Sequence, residues 1–189
     1  MVGVVGKPNT GKSTFFSAAT LVPVEIASYP FTTIKPNRGI GYLRTPCVCR
    51  EFDVRDNPKN STCIDGIRLI PVELIDCAGL VPGAWQGRGL GNQFLDEIRK
   101  ADALIHIVDA AGATDLEGKL CKLGSHDPAE DVRFLEKEMT MWLAQILKRD
   151  WSKISRTAES GTEDLFTILE ERLSGLAIKR THIVEALRK

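Results

Sequence analysis

The stretch Gly6-Lys7-Pro8-Asn9-Thr10-Gly11-Lys12-Ser13 matches the pattern G-x-x-x-x-G-K-[ST] at every fixed position. Before it, Val2-Gly3-Val4-Val5 predicts a short buried strand, and after it the residues from Ser13 to Ala19 predict the start of a helix. Gly6 and Gly11 allow the tight turn that points backbone N–H groups inward, and the helix adds the positive end of its dipole. The stretch therefore predicts a loop that binds phosphate groups.

A second segment supplies the acidic group that such a loop requires. The apolar strand predicted from Arg68 to Ile75 runs directly into Asp76-Cys77-Ala78-Gly79. In phosphate-transfer sites, Lys12 would reach the β- and γ-phosphates, and Ser13 would bind Mg²⁺. Asp76 would hold Mg²⁺ through a water, and the Gly79 N–H would meet the γ-phosphate. D-x-x-G alone is a weak signal, but at a strand end downstream of a phosphate loop it is a strong one.

Length and composition predict an ordinary soluble domain. The chain has 189 residues, of which 43% are hydrophobic and 26% charged. Lys plus Arg number 25, equal to Asp plus Glu, so net charge does not point to nucleic acid or membrane. No run is long enough to span a bilayer, and the five cysteines come without a secretion signal. We expect a cytoplasmic protein with reduced thiols and no membrane partner.

The segment from Ala27 to Asn37 contains two prolines and no helical period, so it predicts an extended loop. Thr32 and Thr33 lie within it. In nucleotide switches a threonine in this loop completes the Mg²⁺ shell while the γ-phosphate is present. The alternative is that both threonines only favour an extended backbone.

A polar excursion from Arg44 to Gly66 separates two predicted strands, Gly39 to Leu43 and Arg68 to Ile75. Three of its residues are cysteines, Cys47, Cys49 and Cys63, and Asp56 lies between them. They could supply three ligands of a zinc site with Asp56 as a poor fourth. The C-x-C spacing differs from that of common closed zinc sites, which favours ordinary reduced cysteines.

The segment from Leu80 to Gly91 is rich in glycine, and we expect little intrinsic order in it until a γ-phosphate organises it. Asn92 is predicted to cap a helix that runs through Lys100. The strand predicted from Ala103 to Asp109 has the composition of a central strand, and His106 inside it is interpreted as a packed core residue.

From Asp127 onward the sequence predicts helices. An apolar stripe with steps of three and four residues indicates a helical hairpin or short coiled coil, and comprises Val132, Leu135, Met139, Trp142 and Ile146. A second helix is predicted from Thr162 to Leu173, ending at Gly175, and a third around Ile183 to Leu187. We divide the chain into a partial P-loop domain, residues 1–124, and a helical subdomain, residues 125–189.

Four blocks of sequence together resemble the Obg-like GTPases, and within them the YchF branch in its archaeal form. The blocks are Gly-Lys-Pro-Asn-Thr-Gly-Lys-Ser, Tyr-Pro-Phe-Thr-Thr-Ile-Lys-Pro-Asn, Asp-Cys-Ala-Gly-Leu-Val-Pro-Gly-Ala and Gly-Arg-Gly-Leu-Gly-Asn-Gln-Phe-Leu. They occur in the family's order within residues 1–109. The resemblance implies an α/β P-loop fold with a mostly parallel sheet, helices on both faces and a helical insertion.

The resemblance also implies a set of site residues. It assigns phosphate binding to Asn9, Thr10, Gly11, Lys12, Ser13 and Thr14. It assigns Mg²⁺ to Ser13, Thr33 and Asp76, γ-phosphate sensing to Gly79, and catalytic roles to Lys12 and Thr33. Thr33 is preferred to Thr32 because the family pattern keeps that position. Ribosome or RNA partners are implied by the resemblance alone.

Two positions affect the expected chemistry. Leu80 stands where many GTPases have a glutamine that orients the attacking water, and a leucine can neither donate nor accept a proton. The family shares this apolar residue, which implies slow hydrolysis or another way of placing the water. Asn9 resembles an asparagine that helps to seat a monovalent cation in potassium-dependent relatives, so K⁺ stimulation is a hypothesis.

No N-K-x-D motif or N-x-x-E variant follows Asp109. An acidic side chain in that motif accepts two N–H bonds from guanine, which adenine does not offer. The sequence ends at Lys189, where the family would resume with the strand that leads to this motif, so we expect a truncated or split product. Without the last strands of the sheet, residues 103–109 would form an exposed edge, and we expect self-association through it unless helices cover it.

Three functional classes follow. The first is a Mg²⁺-dependent GTPase that binds GTP and hydrolyses it slowly. The second is another P-loop enzyme that uses ATP; a kinase is disfavoured because no arginine-rich lid is evident, but ATP use stays open since the YchF branch includes members that accept it. The third is a non-hydrolysing phosphate-binding or interaction protein that acts through its helical arm.

Overall fold

The computed structural model describes residues 1–23, 36–88, 91–161, 163–176 and 178–188, apart from the side chains of residues 91–93 and 96. The strands are β1 (Val2–Val5), β2 (Asn37–Pro46), β3 (Thr62–Ile64), β4 (Ile67–Asp76) and β5 (Ala103–His106). The α-helices are α1 (Lys12–Thr20), α2 (Gly91–Ile98), α3 (Pro128–Glu159), α4 (Leu165–Leu173) and α5 (Arg180–Leu187). Short 3-10 turns occur at Val48–Arg50, Ala84–Gln86 and Ser174–Leu176.

The five strands form one sheet in the order β2-β4-β1-β5, with β3 also pairing with β4. β1 lies parallel to both β4 and β5, whereas β2 and β3 run antiparallel to β4. The predicted α/β architecture is confirmed, but the two antiparallel pairings make the described sheet mixed. The carboxyl ends of β1, β4 and β5 meet at one edge, where open α/β sheets place their ligands.

Both faces of the central strand β1 are covered. Val4 and Val5 are consecutive, so their side chains point to opposite faces, and both are fully buried. On one face Val5 belongs to a core cluster with Ile75, Leu80, Phe94 and other residues, which α2 completes. α1 packs against β2 instead, where a Cβ at Gly39 would lie 2.8 Å from the Thr20 side chain. The centre of the sheet is therefore packed on both faces directly beneath the loops at its edge.

The helices after residue 127 divide between two cores. Asp127 caps α3 by accepting a hydrogen bond from the Ala129 N–H, and Pro128 fits the first turn. Leu135, Met139 and Trp142 pack into the core of the sheet. Further along, a second cluster joins the end of α3 to α4 and α5, and its buried members are Ile154, Leu169, Leu173 and Ile183. The first half of α3 thus shares a core with the sheet, and the boundary at residues 124 and 125 stays a prediction.

Several predicted bounds need correction. Asn92 does not cap its helix, because α2 already begins at Gly91. The strand predicted to reach Asp109 ends at His106. The second terminal helix begins at Leu165, not Thr162, and Gly175 lies inside a 3-10 turn that extends it.

β5 lies at one end of the sheet, and in the described part of the chain it pairs only with β1. The predicted edge position is therefore observed, and self-association through it stays a prediction. No helix within the described residues combines the length and apolar character needed to cross a membrane.

Candidate functional site

The loop between β1 and α1 owes its shape to residues with positive φ. These angles are 149° at Gly6, 62° at Asn9 and 88° at Gly11. A Cβ at Gly6 would lie 2.4 Å from the Ile107 carbonyl oxygen, so only glycine fits where the loop leaves the sheet. The loop is thus held in the tight turn that the sequence predicted.

Lys12 lies at the start of α1 with its ammonium group turned into this loop. Its side chain is buried, and Nζ donates a hydrogen bond to the Lys7 carbonyl oxygen at 2.7 Å. Burial lowers the pKa of Lys12 to about 8, although the nearby Asp76 acts in the opposite direction. A bound phosphate would offer this partly desolvated charge a stronger acceptor than a carbonyl.

Ser13 and Asp76 come together from two segments far apart in sequence. Ser13 Oγ donates a hydrogen bond to Asp76 Oδ2 at 2.6 Å, and Asp76 is fully buried at the carboxyl end of β4. Burial raises the pKa of Asp76, while the Ser13 hydrogen bond and Lys12 oppose the rise. Its second oxygen, Oδ1, is buried and receives no well-aligned hydrogen bond from the described residues, although the nearby Asn37 side chain also opposes the rise in the pKa of Asp76. A carboxylate oxygen left in this way beside a hydroxyl fits a hard cation such as Mg²⁺.

The segment after β4 lies directly on the phosphate loop. The Leu80 N–H donates to the Gly6 carbonyl at 3.1 Å, and a Cβ at Gly79 would lie 2.8 Å from the Pro8 side chain. The Leu80 side chain points away from the loop into the sheet core, where it is 1% exposed. The backbone at Gly79 is therefore the part of this segment that approaches the loop.

The other residues singled out in the sequence are less buried or lie outside the described part of the chain. Thr10 Oγ1 donates to the Lys7 carbonyl at 3.1 Å, and Thr14 is exposed on α1. Thr33 falls outside the described residues. His106 is half-buried, and its pKa is lowered mainly by burial.

A second loop, residues 109–120, covers the phosphate loop and was not predicted from the sequence. Asp109 organises it by accepting hydrogen bonds from the Ala113 N–H at 2.9 Å and from Thr114 Oγ1 at 2.6 Å. Asn9 Nδ2 donates to the Gly118 carbonyl at 2.8 Å. Gly118 has a φ of +78°, and a Cβ there would lie 2.6 Å from the Pro8 carbonyl oxygen. This contact fixes the exposed Asn9 at the rim of the site.

Lys7 is the centre of a buried ionic network that sequence reasoning missed. Its Nζ donates to the Thr114 carbonyl at 2.7 Å and lies 3.0 Å from Asp131 Oδ2 on α3. No well-aligned hydrogen bond reaches that oxygen, so the contact is one of charge. Asp131 Oδ1 lies 2.7 Å from His126 Nε2. Because Lys7 occupies a variable position of the loop pattern, nothing in the pattern distinguished it.

α3 also holds the segment after Asp76. The Glu138 carboxylate is buried and accepts hydrogen bonds from the Gly83 N–H at 2.8 Å and the Trp85 N–H at 3.0 Å. Ala84–Gln86 forms a 3-10 turn at this point. The expectation of little order between Leu80 and Gly91 is therefore wrong for residues 80–88, because a buried carboxylate satisfies two of their backbone donors.

The three cysteines of the excursion form a cluster of their own, in a different part of the sequence from the loops described above. The sulfur atoms of Cys47, Cys49 and Cys63 are all within 4.8 Å of one another. A hydrogen bond from the Cys49 N–H is the main cause that lowers the pKa of Cys47 to about 7. Burial raises the pKa of Cys63 to about 11, and its neighbouring thiols add to the rise.

Comparison with known proteins identifies the family. A family model described as the 50S ribosome-binding GTPase matches residues 1–137 of the chain. The chain belongs to this GTPase family.

Individual relatives agree with the family assignment. A GTP-binding protein of Methanocaldococcus jannaschii is 54% identical over 188 residues, which are 100% of this chain and 47% of that protein. The ribosome-binding ATPase YchF of Haemophilus ducreyi is 36% identical over 90% of this chain and 45% of its own length. The crystal structure of a GTP-binding protein from Pyrococcus horikoshii has a TM-score of 0.76 and 38% identity, over 99% of this chain and 45% of that one. This GTPase-family chain thus spans about half the length of these relatives and has their P-loop fold.

Proposed function

We propose that this chain binds a nucleoside triphosphate, GTP in the first place, together with Mg²⁺, and hydrolyses it slowly. The observation that carries the proposal is the contact of Ser13 Oγ with Asp76 Oδ2 at 2.6 Å, beside the buried ammonium of Lys12. It joins the two segments that a magnesium-bound phosphate tail would require. The second Asp76 oxygen, buried and without a well-aligned hydrogen bond from the described residues, supports a role in holding a cation.

Each residue has a role in this proposal. The backbone from Asn9 to Thr14 would cradle the phosphates, and Lys12 would give up its bond to the Lys7 carbonyl to neutralise the β- and γ-phosphates. Ser13, Thr33 and Asp76 would hold Mg²⁺, which neutralises charge on the phosphate oxygens. The Gly79 N–H would meet the γ-phosphate, since its backbone already lies against Pro8.

Slow hydrolysis is supported by the absence of a polar side chain at the position that usually orients the attacking water. Leu80 is buried in the sheet core, so the position that often carries a water-orienting glutamine offers no polar atom at the site. Asn9 lies exposed at the rim with its amide nitrogen bonded to Gly118, which leaves the side-chain oxygen as a candidate ligand for K⁺. K⁺ stimulation is part of the proposal, and equal turnover in Na⁺ and K⁺ would contradict it.

The base preference, the partners and the location are proposals drawn from the relatives. GTP is favoured because the family and several relatives carry GTP in their names, and ATP is the alternative because the YchF proteins are named ATPases. Association with the ribosome is proposed from the same names, in which the family and the YchF proteins are called ribosome-binding. Association with RNA and a cytoplasmic location are proposed from the family resemblance alone. A non-hydrolysing interaction protein that acts through its helices is the competing function.

A direct titration tests the proposal. Labelled GTP and ATP are titrated with Mg²⁺ against the full chain, against Lys12→Ala and against Lys59→Ala, which removes an exposed lysine of the excursion. We expect nucleotide binding that is lost in Lys12→Ala and kept in Lys59→Ala. Equal binding to all three proteins would refute the site, and absence of binding to the unmodified chain would favour the interaction protein. Phosphate release from bound nucleotide then separates turnover from binding alone.

A further inference from the structure

The excursion from Arg44 to Gly66 has almost no apolar interior. Within these residues, all of which the structure describes, Cys47 is the only buried one, at 2% exposed. The larger apolar side chains point to solvent, with Phe52 70% and Val54 59% exposed. Strand pairing with β4 holds both ends of the excursion, and a segment with so little core between them would be stabilised further by a cross-link such as a disulfide or a metal. The groups collected at its centre are the three thiols of Cys47, Cys49 and Cys63, with Asp56 and Arg68 beside Cys47.

We propose that Cys47, Cys49 and Cys63 bind a thiophilic divalent cation, Zn²⁺ by the chemistry of its ligands. The cysteines reach one point from two elements, because Cys47 and Cys49 flank the start of the turn Val48–Arg50 and Cys63 lies on β3. A metal there would tie the turn to the sheet.

The spacing of the sulfur atoms fits tetrahedral coordination. Zinc–sulfur bonds of about 2.3 Å at a tetrahedral angle place neighbouring sulfurs roughly 3.8 Å apart. The sulfurs of Cys49 and Cys63 are 3.7 Å apart, and no pair among the three exceeds 4.8 Å. Small side-chain rotations would therefore bring all three into bonding range.

Asp56 is the oxygen donor next to the cluster. Its Oδ2 lies 3.2 Å from Cys47 Sγ but not within 4.8 Å of all three sulfurs, so Asp56 would have to shift to take the fourth position, which a water could otherwise fill. Arg68 pairs with Asp56 and donates to Cys47 Sγ at 3.4 Å, so it offsets part of the negative charge that three thiolates and a carboxylate would bring. A surface pocket lined by Asp56, Ser61 and Cys63 gives an ion a route to the sulfurs.

Metal uptake by the full, fully reduced chain under anaerobic conditions tests the proposal, with Co²⁺ as a spectroscopic probe and Zn²⁺ as competitor. We expect one equivalent of Co²⁺ with thiolate-to-metal charge transfer and tetrahedral d–d bands, displaced by Zn²⁺. In Cys49→Ser and Cys63→Ser we expect both signals to weaken and Zn²⁺ affinity to fall by more than the ~10–100-fold that loss of an outer-shell partner causes. Cys121→Ser is the matched control, because Cys121 is half-buried outside the cluster, and it should bind like the unmodified chain.

Two further measurements keep the result independent of misfolding. Amide exchange should be slowed by Zn²⁺ in residues 47–66 and unchanged in residues 1–20, and this comparison uses only the unmodified chain. Asp56→Asn should retain the charge-transfer band with weaker binding. The proposal is overturned if the reduced chain shows no thiolate-to-cobalt band, if the Cys49 and Cys63 variants bind like the control, or if only a Cys49–Cys63 disulfide forms on purification and the reduced thiols bind no metal.

Discussion

Breaking the buried contact between Lys7 and Asp131 should be costly, because both side chains are almost completely shielded from water, at 0% and 1% exposed, and a charge left there without its partner stays desolvated. Asp131→Asn keeps the side-chain shape and the contact with His126. It leaves the Lys7 ammonium bonded to the Thr114 carbonyl, with Asp109 as a remaining negative charge that interacts with it. Removing one partner of a buried ion pair costs about 3–5 kcal/mol, and we expect a loss in that range. Urea unfolding followed by circular dichroism measures it.

A double mutant separates the charge from the packing. Adding Lys7→Met to Asp131→Asn removes the buried ammonium that has lost its ion-pair partner, and we expect it to restore about 2 kcal/mol. Arg133→Met is the matched control on the same helix, since Arg133 is 69% exposed and 3.8 Å from Asp127, and it should cost below about 1 kcal/mol. The reasoning is refuted if Asp131→Asn costs no more than the control, or if the two substitutions at the pair simply add.

Three further predictions concern the loops around the site. Glu138→Gln should lower the free energy of unfolding by about 1–3 kcal/mol and speed amide exchange at Gly83 and Trp85. The reason is that the single carbonyl oxygen of glutamine replaces the two carboxylate oxygens that now each accept one of these N–H groups. Unchanged exchange at Gly83 and Trp85 would count against this role of Glu138. Gly118→Ala should lower GTP affinity and the free energy of unfolding more than Gly124→Ala. Both glycines have positive φ, but a Cβ at Gly118 would lie 2.6 Å from the Pro8 carbonyl oxygen, whereas a Cβ at Gly124 would meet no described atom within 4 Å. Equal effects of the two substitutions would show that the Pro8 contact is unimportant. Affinity for GTP should fall by up to ~10-fold per pH unit as pH rises through about 8, because the lowered pKa of Lys12 means that its charge is lost there. Lys59→Ala, which keeps Lys12, should show the same fall, and a flat profile in the unmodified chain would contradict the role of the ammonium.

The phosphate loop and the Asp76 segment could be predicted because neighbouring residues in the sequence determine their conformation. A strand, a glycine turn and a helix start are adjacent in sequence, and an acidic residue at a strand end is visible in one short block. The end of α1 is set locally as well, since Leu21 follows Thr20 in a left-handed conformation two residues before Pro23.

What sequence reasoning missed depends on contacts between distant segments. Glu138 is next to Met139 of the apolar stripe, and a single carboxylate at that position looks like part of a solvated helix face. Only the packing of α3 on the sheet brings it to the backbone of Gly83 and Trp85. Likewise the spacing of the cysteines in sequence did not show how close their thiols lie, because it is the β3–β4 pairing that carries Cys63 to Cys49.

The most direct test of the central claim is the Mg²⁺ dependence of GTP binding in Ser13→Ala and Asp76→Asn, with Ser17→Ala as control on the next turn of α1, where the hydroxyl bonds the Val22 carbonyl. A non-hydrolysable GTP analogue is titrated with and without Mg²⁺. We predict that Mg²⁺ strengthens binding to the unmodified chain and to Ser17→Ala, and that this gain disappears in the other two variants. The same gain in all four proteins would show that Ser13 and Asp76 do not hold the cation.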